Sequence, residues 1–184
     1  IWVDDSDVAW QKSKAKYKGE AEKFNINNVR YRDWGTLKYW FRAVEKYAPW
    51  VRKIHFVTCG HVPKWLNLNH PKLNFVKHEE YIPKQYLPTF SANPIELNLH
   101  RIKDLADKFV FFNDDYFINA PVCPDDFFKN GLPCDAAILN PQNMDRFGIP
   151  NIVVNDLGII EYYFEFKKQF KENISKWINL KYGK

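Results

Sequence analysis

Cysteine is scarce in this sequence, and long apolar runs are absent from it. The 184 residues contain three cysteines, Cys59, Cys123 and Cys134, and no Cys-x-x-Cys pair. An odd number of widely spaced cysteines excludes a disulfide framework and a zinc ribbon, and it is typical of reduced thiols in a cytosolic protein. No apolar run approaches the roughly 18 residues that a membrane-spanning helix needs, so no such helix is predicted.

The composition is that of a globular protein. Hydrophobic residues make up 46% and charged residues 27% of the chain, which excludes a disordered tail, a collagen-like repeat and a coiled coil. Because domains run to about 150 residues, the length favours a single domain over residues 1–184. The chain opens on Ile1-Trp2-Val3, without an initiating Met or a signal peptide, and we expect it to be a piece of a longer protein.

The charge and the aromatic content limit the partners. The net charge of +5 suits an anionic ligand such as a phosphate compound, but it is too small and too evenly spread to indicate nucleic acid, and none is predicted. Aromatic residues make up 17% of the chain. They suit either a large packed core or a cleft that faces a sugar or a base.

Strand and helix patterns alternate along the chain, which predicts an α/β fold with a mostly parallel sheet flanked by helices. A helix is predicted from the spacing of Leu37, Trp40, Phe41 and Val44, with Asp33 as its N-cap and Pro49 beyond its end. Predicted strands are listed here in chain order: Ile1–Val3, Ile54–Thr58, Leu73–Val76, Phe109–Phe112 and Ala136–Leu139.

Two further helices are predicted. One begins with Asn93 as cap, Pro94 in the first position and Glu96 in a capping box. Its buried stripe would be Ile95, Leu99 and Ile102. The other runs from Asp156 onward, because aromatic and aliphatic residues recur there at helical spacing, namely Tyr163, Phe166, Phe170, Ile174 and Trp177.

Acidic residues follow two of the predicted strands. Asp4, Asp5 and Asp7 follow the first strand, and Asn113-Asp114-Asp115 follows Phe109–Phe112. Ligands of open α/β sheets bind beyond the carboxyl ends of strands, so we expect these acids to meet in one cleft. Converging carboxylates need a cation, and hard oxygen ligands suit Mg²⁺ or Mn²⁺. The alternative is that these residues only cap turns.

Three other segments carry phosphate-binding chemistry. Arg30 and Arg32 flank Tyr31, and guanidinium groups bind phosphate and stack on rings. Glu96 and His100 are four residues apart, so a helix would place them on one face. Hydroxyls of Thr89 and Ser91 precede a helix start, where backbone amides hold anions. Each segment also has a purely structural interpretation, as a solvated helix start, a surface histidine or an ordinary cap.

Taken in this order, the segments resemble the Stealth family of hexose-1-phosphate transferases, which includes bacterial capsular polysaccharide phosphotransferases and the animal N-acetylglucosamine-1-phosphotransferase. Trp2–Asp7 resembles the end of the first family block, and residues from about 30 to 128 resemble the second. The matching pieces are Arg30–Asp33, Glu45–Trp50, Ile54–Thr58, Pro63–Leu66, Leu87–Ser91, Ile95–Glu96, His100–Ile102, Asn113–Asp115 and Pro124–Phe127.

The resemblance implies a nucleotide-sugar transferase-like (Rossmann-like) core. It implies transfer of a sugar-1-phosphate from a UDP-sugar to a hydroxyl of a glycan or capsular polysaccharide, with UMP as the other product. Asp114 and Asp115 would hold Mg²⁺ or Mn²⁺ and, with His100 and Arg101, would be catalytic. The implied substrate-binding residues are Asp4, Asp7, Arg30, Arg32, Thr89, Ser91, Glu96 and Asn113. The expected location is the bacterial cytoplasm. Peripheral contact of the basic last helix with the membrane is one interpretation of its charge, and a solvated helix face is the favoured one.

The sequence departs from the family pattern at three points. Asp5 stands where the family has Gly, Cys59 and His61 stand where it has Asn and Gln, and no later family block follows residue 140. The chain is therefore expected to be an incomplete catalytic core. Two other functions remain open, a metal-dependent glycosyltransferase that releases UDP and a glycan-binding module without turnover.

Overall fold

The computed structural model describes residues 2–17, 31–134, 143 and 149–177. The chain divides into two compact units, Ile1–Asp126 and Phe127–Lys184. The first contains α1 (Val8–Lys16), α2 (Leu37–Tyr47), β1 (Ile54–Thr58), β2 (Leu73–Lys77), α3 (His78–Tyr81) and α4 (Ala92–Leu97), with 3₁₀ turns at Lys84–Tyr86, Leu99–Arg101 and Pro124–Asp126. The second contains β3 (Phe128–Lys129), β4 (Leu132–Pro133), α5 (Ile149–Phe164), α6 (Phe166–Glu172) and α7 (Ile174–Trp177).

The centre of the first unit is a parallel pair of strands. β1 and β2 pair in register from Ile54 opposite Leu73 to Thr58 opposite Lys77, which confirms both predicted strands. The prediction of a strand at Ile1–Val3 was wrong for Trp2 and Val3, the two of its residues that the structure describes. Trp2 nevertheless lies alongside β1, and its backbone N–H donates to the carbonyl of Val57 at 3.3 Å. The fold is mixed α/β as predicted. The fuller Rossmann-like core stays a prediction, because the parallel sheet in the described part has two strands.

Adjacent residues of β1 face opposite layers, as the period of two in a strand requires. Phe56 packs in a cluster with Trp2 and Leu37, the first residue of α2. Val57 packs in a second cluster with Val76, and the rest of that cluster comes from the chain after β2, namely Tyr81, Ile82, Ile95 and Ile102. The two clusters fix the end of β1, and with it the turn that follows.

Helix α2 confirms the predicted stripe and corrects the predicted cap. Leu37 and Val44 are buried, and the helix ends at Tyr47, with Ala48 as its C-cap directly before Pro49. The N-cap is Thr36, so the prediction of Asp33 was wrong. The Asp33 carboxylate accepts from the N–H of Gly35 at 2.7 Å instead, in a turn where Gly35 has φ +68°. A local Asx turn competes with capping for the same carboxylate.

Helix α4 begins earlier than predicted. Its N-cap is Ser91, and no side chain of the cap makes a hydrogen bond, so the capping box of Asn93 and Glu96 was wrong. Pro94 is the third helical residue, which is tolerated because the first N–H groups of a helix have no partner within it. Ile95 and Ile102 are buried and Leu99 packs against them, as predicted.

The segment Phe109–Phe112 is not a strand in the structure, which corrects the prediction of a buried strand. Phe109, Val110 and Phe111 are 43%, 39% and 38% exposed. Only Phe112 of this segment has a described ring contact, with Trp40 of α2 at a centroid distance of 5.9 Å. An apolar run becomes a strand only where a neighbouring strand offers its hydrogen bonds, and no described strand pairs with this one.

The second unit contains a hairpin and a helical segment. β3 and β4 pair antiparallel around Asn130 and Gly131, whose φ angles of +51° and +83° suit a tight hairpin turn. The predicted last helix begins earlier, at Ile149, and is divided into three, first at Glu165 with φ +40°. The predicted strand Ala136–Leu139 lies outside the described residues. Within the described ranges, no helix has both the length and the apolar character to cross a bilayer.

Candidate functional site

The first acidic segment forms a compact loop, Asp4–Asp7, between Trp2 and α1. The Asp4 carboxylate accepts from the hydroxyl of Ser6 at 2.6 Å and from its N–H at 3.0 Å. The Ser6 hydroxyl is the main reason that the pKa of Asp4 lies below its usual value. Asp7 is the N-cap of α1, and its carboxylate accepts from the N–H of Trp10 at 2.7 Å. Hydrogen bonds therefore fix both carboxylates, and the lowered pKa keeps that of Asp4 ionised at neutral pH.

The turn after β1 brings a histidine to this loop. Thr58 is fully buried, and its hydroxyl donates to the carbonyl of His61 at 2.8 Å and accepts from the N–H of Gly60 at 3.0 Å. His61 then reaches the loop: its Nδ1 accepts from the N–H of Asp4 at 2.9 Å, and its Nε2 lies 3.7 Å from Asp7. From the sequence, His61 was distinguished only as a departure from the family pattern.

Aromatic rings join the loop to two other predicted segments. The Trp10 ring contacts His61, Tyr31 and Phe90, with centroid distances of 6.4, 5.4 and 5.7 Å. The hydroxyl of Tyr31 donates to the carbonyl of Phe90 at 2.9 Å. Phe90 lies between Thr89, which is half-buried, and Ser91, which is exposed. The structure therefore brings the Asp4–Asp7 loop, the start of the arginine-rich segment and the Thr89–Ser91 segment around one indole.

The second acidic segment forms a turn in which the N–H of Tyr116 donates to the carbonyl of Asn113 at 3.3 Å. Although Asp114 is exposed as a residue, partial burial of its carboxylate raises its pKa, and the negative charges of Asp115 and Asp33 raise it further. Asp33 was predicted only as a helix cap. These three carboxylates are near enough to repel one another, while no described contact joins this turn to the Asp4–Asp7 loop.

The basic candidates lie on the surface. The Arg32 guanidinium stacks on the Trp34 ring, 4.3 Å from its centroid, as the sequence predicted for arginine beside aromatics. Arg30 lies outside the described residues. His100 and Arg101 are exposed in the 3₁₀ turn Leu99–Arg101.

The structure also corrects the pairing of Glu96 with His100. Helix α4 ends at Leu97, so the helical spacing that was to place Glu96 and His100 on one face does not hold between them. Glu96 is half-buried, and it makes no capping bond.

The carboxylates of the second turn, Asp114 and Asp115, are suitable ligands for a divalent cation. Carboxylate oxygens are the protein ligands that Mg²⁺ prefers, and Mg²⁺ takes one or two of them together with water and substrate phosphate. Asp114 and Asp115 supply that number. A cation would offset both the burial of the Asp114 carboxylate, which is the main cause of its raised pKa, and the repulsion from Asp115 that raises it further. In the described part of the chain, no three His, Cys, Asp or Glu side chains group closely enough to hold a metal by themselves.

Comparison with known proteins identifies relatives. A family model described as Stealth protein CR2, conserved region 2, matches residues 30–135. The chain is 55% identical to a capsular polysaccharide phosphotransferase WcwK of Streptococcus pneumoniae over 185 residues, which cover all of this chain and 55% of that protein. It is 53% identical to a receptor polysaccharide phosphotransferase WefC of Streptococcus oralis over 167 residues, or 89% of this chain and 50% of that protein.

A shorter relative is matched over more of its length. The capsular polysaccharide phosphotransferase eps5J of Streptococcus thermophilus is 46% identical over 187 residues, which cover all of this chain and 78% of that protein. The chain spans about half the length of the WcwK and WefC relatives. Residues 30–135, which the family model matches, contain every predicted site residue except Asp4 and Asp7.

Proposed function

The chain belongs to the Stealth family, and we propose that it forms part of a sugar-phosphate transferase of bacterial polysaccharide synthesis. The donor would be a UDP-sugar and the acceptor a hydroxyl group of a glycan or capsular polysaccharide. Support comes from the relatives, which are named as phosphotransferases of capsular and receptor polysaccharides. The proposed activity is that of the whole protein, of which this chain contributes the two acidic segments.

The observation that carries the proposal is the accumulation of negative charge at the second acidic turn. Burial is the main cause of the raised pKa of Asp114, and the negative charges of Asp115 and Asp33 raise it further. Such a cluster is unfavourable unless a cation shares it. A nucleotide sugar brings a diphosphate that binds the same cation, so an acidic turn of this kind suits diphosphate chemistry.

The proposed reaction breaks one phosphorus–oxygen bond. The acceptor hydroxyl oxygen attacks the phosphorus that carries the sugar, and the bond from this phosphorus to the bridging oxygen breaks. UMP leaves with the bridging oxygen, and the hydroxyl proton passes to a base. His100 would accept that proton, and Arg101 beside it would stabilise the negative charge on the equatorial oxygens. Both side chains are exposed and therefore accessible to a polymeric acceptor.

The proposed cofactor is Mg²⁺ or Mn²⁺, held by Asp114 and Asp115. When bound, the ion would supply charge neutralisation for the diphosphate and the leaving UMP. Asn113, at the start of the same turn, would orient the donor through its side-chain amide.

The first acidic loop would bind the nucleotide end of the donor. Asp4 and Asp7 are held rigidly between Ser6, His61 and the start of α1. Hydroxyl groups of ribose are the natural partners of such carboxylates, because an ionised carboxylate only accepts hydrogen bonds. Thr89, Ser91, Glu96, Arg30 and Arg32 would complete the donor site, with the arginines on phosphate.

A peripheral membrane contact is part of the proposal, at the cytoplasmic face. Helix α6 exposes Lys167, Lys168 and Lys171, while Phe166 and Phe170 are half-buried and pack ring to ring at 6.2 Å. A basic face on a short helix is attracted to anionic lipid headgroups.

The test is the identity of the nucleotide product. We would incubate the full-length protein with UDP-hexoses, Mg²⁺ or Mn²⁺ and a glycan acceptor, and separate UMP from UDP by chromatography. The Asp115→Asn variant should lose about 100-fold or more of the rate, while Asp107→Asn, which removes an exposed acid outside the proposed site, should match the wild type. UDP as product would replace the proposal with glycosyl transfer. Glycan binding without either product would replace it with a binding module.

A further inference from the structure

The hydrogen bonds of His61 define where its proton lies. The N–H of Asp4 donates to Nδ1 at 2.9 Å, so Nδ1 presents a lone pair, and the proton of the neutral ring is on Nε2. Nε2 lies 3.7 Å from the Asp7 carboxylate. The neutral ring therefore accepts at one end of the loop and presents its N–H toward the acid at the other end.

Hydrogen bonds and two flanking rings hold the imidazole in place. Thr58 fixes the backbone of the turn through the carbonyl of His61. The rings of Trp2 and Trp10 flank the imidazole edge to face, at centroid distances of 6.5 and 6.4 Å. The His61 side chain is 17% exposed. A side chain with so little freedom loses little conformational entropy when it makes its hydrogen bonds. Because His61 lies in the turn after β1, its hydrogen bond to Asp4 fixes the loop relative to this strand.

The same contacts make a nucleophilic role of Cys59 unfavourable. Cys59 Sγ lies 3.5 Å from Nδ1 of His61, and Asp7 lies on the other side of the ring, an order that resembles a cysteine–histidine–acid triad. However, Nδ1 already accepts from the N–H of Asp4. Burial also raises the pKa of the Cys59 thiol, and the thiolate is the reactive form of cysteine.

We propose that His61 is a positioning residue for the donor, a neutral bridge that holds the loop Asp4–Asp7 in the conformation that binds the nucleotide. This inference rests on the proposed function, because it assigns the donor to that loop. Asp4 and His61 are 57 positions apart in the sequence, so the bridge ties the loop to the end of the parallel sheet. It acts through the backbone of one acid and the carboxylate of the other, without contact with the reacting phosphorus.

The test separates hydrogen bonding from simple packing. His61→Gln keeps an acceptor and an N–H donor on one side chain, while His61→Leu keeps bulk and loses both. His70→Leu is the matched control, because Nδ1 of exposed His70 also accepts a backbone N–H, from Lys72 at 3.2 Å. Two readouts are needed for the full-length proteins: hydrogen–deuterium exchange of the peptide that contains residues 4–7, and the dissociation constant of UDP with Mg²⁺ by calorimetry.

We expect His61→Leu to speed amide exchange at Asp4 and to weaken UDP binding about 3- to 10-fold, the range for one lost hydrogen bond. His61→Gln should restore both readouts to within about 2-fold, the scatter expected of a retained bond, and His70→Leu should change neither. Unchanged exchange in His61→Leu would overturn the bridge. Faster exchange with unchanged UDP binding, or no recovery in His61→Gln, would overturn the positioning role.

Two other outcomes are distinguishable from these, namely that the wild type binds no UDP and that His61→Leu does not fold. If the wild type binds no UDP, the proposed donor is wrong, and the exchange experiment alone still decides whether His61 holds the loop. If His61→Leu does not fold, His61→Asn replaces it, because its shorter amide cannot reach both ends of the loop. His61→Asn should then show the faster exchange and the weaker binding, and wild-type behaviour in both readouts would overturn the inference.

Discussion

His78 should make the stability of the protein depend on pH. This residue is the first of α3, it is 8% exposed, and its Nε2 finds no hydrogen-bond partner among the described residues. Burial lowers the pKa of His78 from 6.5 to about 4. The folded protein therefore holds this ring neutral at pH values where the unfolded chain protonates it.

The sign and size of the effect follow from the two pKa values. Above pH 6.5 the ring is neutral in both states, and its full contribution to stability is present. As the pH falls from 6.5 toward 4, the unfolded chain takes up the proton first, and stability is lost at about 1.4 kcal/mol per pH unit. At pH 5 the loss amounts to about 2 kcal/mol, or about 30-fold in the ratio of folded to unfolded chains.

The assay is urea unfolding at pH 7.5 and at pH 5 for the wild type and two variants. His78→Leu removes the titrating group without leaving a charge to bury, and His70→Leu removes an exposed histidine instead. The raised pKa of Asp114 acts in the opposite direction, because its folded form binds a proton more readily, but it is common to all three proteins. The wild type and His70→Leu should lose about 2 kcal/mol more than His78→Leu between the two pH values. Equal losses in all three would refute the burial argument.

Three further predictions concern stability in urea at pH 7. Phe56→Ala should lower the free energy of unfolding by about 3–5 kcal/mol, because the ring is 6% exposed and packs against three other aromatic rings. Phe109→Ala, at a residue 43% exposed, should change it by no more than about 1 kcal/mol. Equal losses in the two variants would contradict the burial assignment. Gly60→Ala should cost about 1–2 kcal/mol through backbone strain alone, since φ is +119° and an added Cβ meets nothing within 4 Å; a neutral substitution would contradict the strain. Asp7→Ala should lose about 1 kcal/mol of helix capping that Asp7→Asn retains, and equal stabilities of these two variants would contradict the cap.

The elements that could be predicted from sequence are those whose signal is local. β1 is a run of apolar and β-branched residues that stops at Gly60, and the structure places it at Ile54–Thr58 as predicted. The spacing of Leu37 and Val44 predicted the buried side of α2 for the same reason. The acidic turn Asn113–Asp115 was also visible in the sequence, because three consecutive polar residues with high turn preference follow an apolar run.

The elements that could not be predicted depend on partners far away in the sequence. Phe109–Phe112 has the composition of a strand, but a strand also needs a neighbour for its backbone hydrogen bonds, and composition carries no information about that neighbour. The cap of α2 was misassigned because Asp33 has two local uses, and only the conformation of Gly35 decides between them. The start of α4 moved for a similar reason, since Pro94 fits more than one position in the first turn.

The role of His61 illustrates the same limit within the site. Its neighbours in the sequence, Gly60 and Val62, do not indicate a contact with Asp4, which lies 57 positions earlier. The contact arises because the buried hydroxyl of Thr58 closes the turn after β1, while Trp2 lies alongside the same strand and leads directly into the loop. The loop that follows Trp2 and the turn that follows β1 therefore meet at the end of this strand. The side chain that holds the proposed donor loop is for this reason His61, in the turn, and not a residue of the acidic motifs. Such a contact depends on the topology, and the sequence around His61 does not indicate it.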